Sequence, residues 1–276
     1  MDLYQKVSYD NCQHLTSRYS TSFSLSSKLF HKSIRKHIYA IYGMARIADE
    51  VVDTFKGKRQ KEILGDLEKE IYRAIEVGYS TNPIIHAFAI TANSYSFEKE
   101  LIVAFFKSMA MDIEPKRYND KLYEEYIYGS AEVIGLMCLR VFCENNDEQY
   151  NKLKSGAKKL GSAYQKVNFL RDLAQDYRDL GRIYFPDITF ETFDDEAKDE
   201  IVKEVREEFD QANKAIKSLP KNSRLAVRTS YEIYLSLLNK LAETDAALIK
   251  AKRVRIANSK KFLTLLKTVI THKLKS

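Results

Sequence analysis

The chain has 276 residues with a formal charge of +7, and its 9 glycines and 4 prolines lie well below average shares of roughly 7% and 5%. It is long enough to bury a substantial core, in one large domain or two small ones. So few helix-interrupting residues predict an all-α fold, and three cysteines without metal-binding spacing exclude a cysteine-based metal centre.

The first residues and the cysteine usage favour a cytoplasmic protein. The opening "MDLYQKVSYDNC" contains no apolar segment typical of a signal peptide, and nowhere do 18 apolar residues follow one another. Cys12, Cys138 and Cys143 form an odd set, which fits a reducing compartment. We therefore expect neither a secreted protein nor a spanning helix.

Apolar residues recur at three- and four-residue spacing from about Tyr4 to Leu274, which indicates helices along nearly the whole chain. We expect these helices over residues 34–55, 58–77, 98–112, 120–143, 147–178, 196–217, 222–243 and 259–273. The clearest irregular stretch is "LGRIYFPDITFETFDD". Because no linker, low-complexity tract or repeat of fixed period separates the elements, residues 1–276 are expected to form one domain.

The first of these helices carries a polar stripe on an otherwise apolar surface. Spacings of four, three and four residues place its members within a sector of roughly 60°; they are Tyr42, Arg46, Asp49 and Asp53. The rest of "IYAIYGMARIADEVVDTF" is apolar apart from one glutamate and one threonine. A helix that is apolar nearly all round is normally buried, so the stripe is expected to face an internal cavity.

The helix over 147–178 repeats this design. Spacings of three, four and four residues again give one stripe, within roughly 80°; its members are Gln165, Asn168, Asp172 and Asp176. The basic residues of this segment are expected elsewhere around the helix; they are Lys166, Arg171 and Arg178. Two carboxamides and two carboxylates therefore form a continuous row of oxygen ligands.

A single Asp-x-x-x-Asp pair is most often a solvated helix face. Two pairs far apart in the chain, each extended by aligned polar residues, favour a common site instead. Four buried carboxylates facing one another would repel and take up protons unless cations lay between them. Mg²⁺ is usually held by one or two carboxylates together with substrate phosphates, so the two stripes predict Mg²⁺ ions that bind a diphosphate and assist its departure.

At these residues the sequence resembles the squalene and phytoene synthase family, the head-to-head prenyl transferases. The similarity extends over nearly the whole chain, through "YSTSFSLSSKLF", "IYAIYGMARIADEVVD", "YIYGSAEVIGLM" and "GSAYQKVNFLRDLAQDYRDLGRIYFP". The last segment is the most specific, because it joins Asn-x-x-x-Asp-x-x-x-Asp to Gly-Arg-x-Tyr-x-Pro. The resemblance implies an all-α isoprenoid-synthase fold with a central active-site cavity.

The resemblance also implies the roles of individual residues. Metal ligation, by Mg²⁺ or by Mn²⁺ in its place, is implied for Asp49, Asp53, Asn168, Asp172 and Asp176, and catalysis for the four aspartates and Tyr128. Substrate binding is implied for Phe23, Tyr42, Arg46, Gln165, Asn168, Tyr234 and Arg253. Aromatic residues at helical spacing are also common in plain cores, which stays an alternative for Phe23, Tyr42 and Tyr128.

Several positions depart from the family pattern. Glu132 stands where a small residue is usual, Lys166 where an apolar residue is common, and Ala246 where an aromatic residue is usual. The segment from Tyr234 to Arg253 is about one residue longer than the family pattern. These departures bear on the shape of the cavity and on the role of Arg253, and they leave the aspartates intact.

The implied reaction joins two geranylgeranyl diphosphates head to head, through a cyclopropylcarbinyl diphosphate, to phytoene in carotenoid biosynthesis. The alternatives are a dehydrosqualene or squalene synthase acting on two farnesyl diphosphates and a non-catalytic assembly factor on the same scaffold. No NADPH is expected, because the chain lacks the hydrophobic tail of eukaryotic squalene synthases and a Gly-rich dinucleotide fingerprint. Degenerate aspartate motifs would indicate the assembly factor, and both motifs are intact.

The end of the chain is basic, since no acidic residue follows Asp245. Nine lysines and arginines from Lys250 onward suit an anionic membrane surface, so a peripheral membrane association is expected beside the prenyl diphosphate substrates. The segment "KAKRVRIANSKK" also suggests a nucleic-acid binder, but no nucleic-acid-binding motif accompanies it, and no such partner is expected. Monomer and homodimer both remain open.

Overall fold

The computed structural model describes residues 1–55, 57–113 and 118–275, and within these ranges the chain is helical with no β-strand. This arrangement confirms the all-α prediction. The α-helices are α1 (Leu3–Tyr19), α2 (Thr21–Ser27), α3 (Lys32–Asp49), α4 (Gln60–Val77), α5 (Pro83–Ser94), α6 (Lys99–Met111), α7 (Asp120–Ile127), α8 (Val133–Cys143), α9 (Asp147–Leu180), α10 (Asp195–Ile216), α11 (Lys221–Ala242), α12 (Ala246–Ala251) and α13 (Asn258–Lys275).

Two short π-helical segments interrupt the regular helices at sequence motifs. Glu50–Thr54 extends α3 through the second aspartate of the first stripe, and Tyr128–Glu132 joins α7 to α8. A π-helical turn inserts an extra residue into the helical register and often occurs at functional sites. The stretch 120–143, expected as one helix, is therefore helical throughout, but the π-helical turn in its middle shifts the direction in which the following side chains point.

Four helices were missed by the periodicity analysis, namely α1, α2, α5 and α12. Helix α5 begins with two strong signals, because Asn82 caps it by accepting from the backbone N–H groups of Ile84 and Ile85, and Pro83 follows the cap. Its middle section is almost entirely buried, so it shows no alternation of polar and apolar faces. Helix α12 has only 6 residues, too few for a period to be visible.

The long helix α9 is the central wall of the fold. It packs against α8, α10 and the π-helical segment Tyr128–Glu132. Helix α3 packs against α1, α5 and α8, and its residues Ile34, Ile38, Ile41 and Met44 are fully buried. The carboxyl-terminal halves of α3 and α9 thereby come to lie around one interior space.

Helix α6 lies very close to the π-helical segment Tyr128–Glu132 at Gly129. A Cβ atom at Gly129 would lie 2.3 Å from the backbone oxygen of Ala104 and 2.7 Å from Cβ of Ser108. The replacement Gly129→Ala is therefore expected to destabilise the fold by about 1–3 kcal/mol, because backbone must move. Gly65→Ala on α4 is the matched control, where an added Cβ meets no described atom within 4 Å, and it should stabilise by about 0.5–1 kcal/mol. Equal thermal unfolding midpoints for the two variants would contradict the prediction.

One stretch of the described chain, Asp120–Cys143, is long and apolar enough to cross a membrane by length and composition. Within the fold, 56% of its most apolar window is buried. Its two α-helices and the intervening π-helical turn pack against α3, α6 and α9. These contacts are those of a core helix.

Candidate active site

The helices enclose a cavity of about 1230 Å³. Along α9 the cavity extends from Leu153 to Asp176, a distance of about 35 Å at 1.5 Å per residue. The α9 side chains that line the cavity are apolar before Leu160, and from Gln165 onward they are polar with the exception of Phe169. Around the apolar section lie Phe30, Ile38, Phe142, Ile216, Leu219 and Val227.

The structure brings nearly all of the predicted site residues to this cavity. Those that line it are Phe23, Tyr42, Arg46, Asp49, Asp53, Gln165, Asn168, Asp172, Asp176, Tyr234 and Arg253. They come from α2, α3 with its π-helical extension, α9, α11 and the segment between α12 and α13. Residues that lie far apart in the sequence therefore share one polar end of one cavity.

In the first stripe, the positively charged guanidinium of Arg46 lies beside Asp49. Arg46 donates from Nε to Oε1 of Glu50 at 3.0 Å, and its guanidinium lies 4.3 Å from the ring centre of Tyr19. Its Nη1 atom stands 3.7 Å from Oδ2 of Asp49. Burial nevertheless raises the pKa of Asp49 to about 7, with Arg46 opposing this rise and Asp53 adding to it.

In the second stripe, Asp172 is held by two arginines. Its Oδ1 atom lies 2.9 Å from Nε of Arg171 and 2.6 Å from Nε of Arg253. Arg171 was expected elsewhere around the helix, but its side chain extends to Asp172, the next residue, and also lines the cavity. Burial and then the charge of Asp172 raise the pKa of Asp176 to about 7.

The two aspartate pairs face each other across the polar end. The pKa of Asp176 on α9 is raised by burial, by Asp172 and also by Asp53 of the first stripe. Burial, with a smaller contribution from Asp53, also raises the pKa of a further cavity carboxyl, Asp112, to about 7, although Arg182 opposes this rise. Carboxyls from three elements therefore share one electrostatic environment, and the predicted repulsion is present.

Asp112, at the end of α6, is a cavity residue that the sequence did not reveal. It is 5% exposed, its Oδ1 atom lies 3.1 Å from Nη1 of Arg182, and its Oδ2 atom accepts from the hydroxyl of Tyr126 at 2.8 Å. Tyr184 lies 3.4 Å from the same arginine nitrogen. Arg182 and Tyr184 belong to the Gly-Arg-x-Tyr-x-Pro motif, so the sequence marked these two partners of Asp112. Asp112 itself belongs to no sequence motif that would have indicated a cavity residue.

Aromatic side chains and an amide complete the walls next to the carboxylates. The hydroxyl of Tyr234 donates to Oδ1 of Asn168 at 3.5 Å, and the Tyr234 ring stacks on Tyr164 with 4.0 Å between centres. Phe23 and Tyr42 also line the cavity, and their rings stack with 5.0 Å between centres. Burial raises the pKa of Tyr42 to about 12, so its hydroxyl stays protonated at neutral pH.

Among the described residues that line the cavity, Tyr128 is absent, contrary to the prediction. Its ring lies 5.0 Å from Nζ of Lys158 instead. Tyr126 lines the cavity in its place, and residues two apart on a helix point about 160° away from each other, so only one of the two can face inward. Further along this segment Ser130 and Ala131 line the cavity.

The departures from the family pattern lie on other faces of their helices. Glu132 forms an ion pair with Lys158 at 3.0 Å, and Lys166 is buried and lies 3.0 Å from Glu208 on α10. Ala246 is 3% exposed and packs in the core. In the described structure none of these three positions lines the cavity.

Within the described ranges, no three His, Cys, Asp or Glu side chains converge closely enough to hold a metal ion on their own. The donor set still suits Mg²⁺, which needs only one or two carboxylates when a diphosphate supplies the other oxygens. Three cavity carboxyls have pKa values raised to about 7, so the protein alone stabilises their charged forms poorly. Cations between them would remove that cost.

A model of the family described as squalene/phytoene synthase matches residues 16–260 of this chain. The chain belongs to the squalene/phytoene synthase family. The match includes both aspartate stripes and every other predicted site residue. The family is one of prenyl transferases, so head-to-head condensation of prenyl groups is the class of chemistry to which the cavity belongs.

Individual relatives agree with this assignment. The chain is 25% identical to 4,4'-diapophytoene synthase of Staphylococcus haemolyticus over 263 residues, covering 87% of this chain and 89% of that one. It is 29% identical to the chloroplastic phytoene synthase of Daucus carota over 277 residues, covering 93% and 69%. A solved dehydrosqualene synthase superposes with a TM-score of 0.80 over 98% of both chains at 22% identity, which confirms the fold.

Proposed function

We propose that this protein condenses two geranylgeranyl diphosphates head to head, through a cyclopropylcarbinyl diphosphate, to phytoene. The observation that carries the proposal is the facing of two aspartate pairs, with Asp53 near Asp176, at the polar end of a long apolar cavity. The names of relatives support it, since phytoene synthases from Daucus carota and Arthrospira platensis are 29% and 31% identical to the matched segments.

The cavity has room for long prenyl chains. Its volume of about 1230 Å³ includes the polar end beside the aspartates as well as the apolar section. Two prenyl chains would lie in the apolar section with their diphosphates at the polar end, and the choice of twenty-carbon chains rests on the names of the relatives.

Mg²⁺ is the proposed cofactor, held by Asp49, Asp53, Asp172 and Asp176 with Asn168 beside them, and Mn²⁺ is its proposed substitute. When bound, the cations neutralise the diphosphate and make it a better leaving group. Arg46 and Arg253 provide fixed positive charge at the two aspartate pairs, and a diphosphate is a natural partner for both guanidinium groups. Arg253 would then exchange part of its contact with Asp172 for phosphate oxygens.

The remaining wall residues protect an allylic cation during the reaction. Water would trap such a cation at once, so the apolar section must stay dry while the chains react. The rings of Phe23, Tyr42 and Tyr234 border the site where charge develops, and aromatic faces stabilise a nearby cation without forming a bond to it. The hydroxyl of Tyr42 stays protonated and is a poor nucleophile.

A dehydrosqualene synthase is the second candidate, favoured by the relative from Staphylococcus haemolyticus, of which this chain covers 89%. The deciding experiment incubates purified protein and Mg²⁺ with either farnesyl or geranylgeranyl diphosphate, with and without NADPH, and identifies the hydrocarbon. Phytoene without NADPH is the expected result. Dehydrosqualene as the preferred product would support the second candidate, squalene with NADPH would indicate a squalene synthase, and no hydrocarbon from either substrate would favour the assembly factor.

Asn168→Ala is expected to accumulate the cyclopropylcarbinyl diphosphate relative to the final hydrocarbon. The proposed reaction ionises a diphosphate twice at the same place, and Asn168 contributes a neutral oxygen that helps to seat the second diphosphate. A single-turnover reaction with labelled geranylgeranyl diphosphate, quenched over time and separated into diphosphate and hydrocarbon fractions, measures this. Asn151→Ala, on the exposed side of α9, is the matched control. A proportional fall of both fractions at all times would show that Asn168 has no selective role in the second step.

A further inference from the structure

Helix α13 exposes an apolar face. Four large side chains on it are 40–63% exposed, namely Phe262, Leu263, Leu266 and Ile270. At 100° per residue these four positions fall within a sector of roughly 100°, so they form one stripe. A helix with its apolar stripe open to solvent is typical of a surface that binds a membrane or another protein.

The charges around this stripe are all positive in the described helix. Lys260 and Lys267 are exposed on α13, and Lys252 is exposed just before it. Other basic residues of the same segment line the cavity, namely Arg253, Arg255 and Lys261. Positive charge beside an apolar stripe complements an anionic lipid surface rather than a second copy of the same basic helix.

The same helix also forms part of the cavity wall. Asn258 and Lys261 in its first turn line the cavity, as does the preceding segment from Arg253. Nζ of Lys261 lies 3.0 Å from Oγ1 of Thr21 on α2, another cavity residue, and the body of α13 packs against α11. The cavity and the exposed stripe therefore lie on two sides of one helix, most of which follows the family match that ends at residue 260.

We propose that α13 docks on a bilayer containing anionic lipid, with its apolar stripe inserted among the acyl chains. The amino-terminal turn of α13 then sets the cavity mouth at the lipid surface. Long hydrocarbon chains enter from the bilayer and leave into it without crossing water. The exchange of chains rests on the proposed function, whereas the docking itself rests only on the stripe and its charge.

The test measures binding of the full chain to vesicles in the absence of substrate. Vesicles of phosphatidylcholine alone are compared with vesicles of phosphatidylcholine and phosphatidylglycerol, at low and high salt. The variant Leu263→Gln/Ile270→Gln shortens the apolar stripe, and Lys260→Gln/Lys267→Gln removes the flanking charge. The control Val77→Gln/Val103→Gln removes exposed apolar side chains from α4 and α6.

The wild type and the control are expected to bind anionic vesicles, and the stripe variant should bind roughly tenfold or more weakly, because buried aliphatic side chains contribute most of the attachment. The charge variant should bind anionic vesicles less tightly and lose most of its salt dependence. Undiminished binding by the stripe variant would overturn the proposal. Equal, salt-insensitive binding of the wild type to both vesicle types would also overturn it. A third contrary result would be a wild-type dimer in the absence of lipid that the stripe variant alone fails to form.

Turnover separates this inference from the proposed function. In detergent, without vesicles, the stripe variant should form hydrocarbon at the wild-type rate, since its two substitutions lie outside the cavity. With substrate supplied in anionic vesicles, its rate should fall along with its binding. If the stripe variant reaches wild-type rates with substrate in vesicles, the proposal that hydrocarbon chains pass between the cavity and the bilayer is overturned. A wild type that binds vesicles but forms no hydrocarbon in detergent would contradict the proposed function and leave docking supported.

Discussion

Replacing Asp49, Asp53, Asp172 or Asp176 by asparagine is expected to lower hydrocarbon formation by more than about a hundredfold. Mutating a residue that only hydrogen-bonds a metal ligand typically lowers metal affinity or activity about 10- to 100-fold, and loss of a ligand itself should cost more. Asparagine keeps the size of the side chain but supplies no negative charge to a cation. Burial already raises the pKa values of Asp49 and Asp176 to about 7, so a neutral amide in either place should leave the fold intact. Product formation is measured with the diphosphate substrate and Mg²⁺, and helicity by circular dichroism.

The control for these variants is Asp210→Asn on α10, which replaces an exposed aspartate outside the cavity and should leave the rate unchanged. Near-normal turnover in both Asp49→Asn and Asp172→Asn would contradict the metal-binding role of the two stripes. A second readout is independent of turnover. Mg²⁺ together with inorganic diphosphate should raise the thermal unfolding midpoint of the wild type and raise it less in each variant.

Arg182→Met is expected to have the largest effect on stability, a loss of about 3–5 kcal/mol, because it leaves Asp112 buried without its ion-pair partner. Both side chains of this pair are at most 6% exposed, so water cannot replace the lost contact. The thermal unfolding midpoint should fall by roughly 10 °C. The effect would reach the cavity as well, since Asp112 lines it and interacts with Asp49.

Two further variants test whether the unpaired buried charge of Asp112 causes the loss of stability in Arg182→Met. Arg59→Met breaks an exposed ion pair with Glu62 and should change stability by no more than about 0.5 kcal/mol. The double variant Arg182→Met/Asp112→Asn removes both charges but keeps an oxygen that accepts from Tyr126, so it should recover much of the lost stability. If the double variant unfolds at the same temperature as Arg182→Met, the buried charge is not the cause.

Sequence periodicity located the elements whose two faces differ in polarity. Helices α3 and α9 were predicted close to their observed bounds because apolar packing surfaces alternate with polar stripes along them. Helix α5 was missed for the opposite reason, since its middle is buried on all sides and carries no alternation. The placement of Tyr128 was wrong because a π-helical turn and a competing Tyr126 decide which aromatic ring faces inward.

The sequence by itself determined the all-α class, the two polar stripes and the similarity to a family of prenyl transferases, because each depends on residue types at short helical spacings. Only the tertiary structure decided which carboxyls meet, that Asp112 and Arg171 join them, and that α13 separates the cavity from an exposed apolar stripe. These features depend on contacts between elements far apart in the chain. Such contacts follow from how α6, α9, α11 and α13 pack around one cavity, and short-range spacing does not record them.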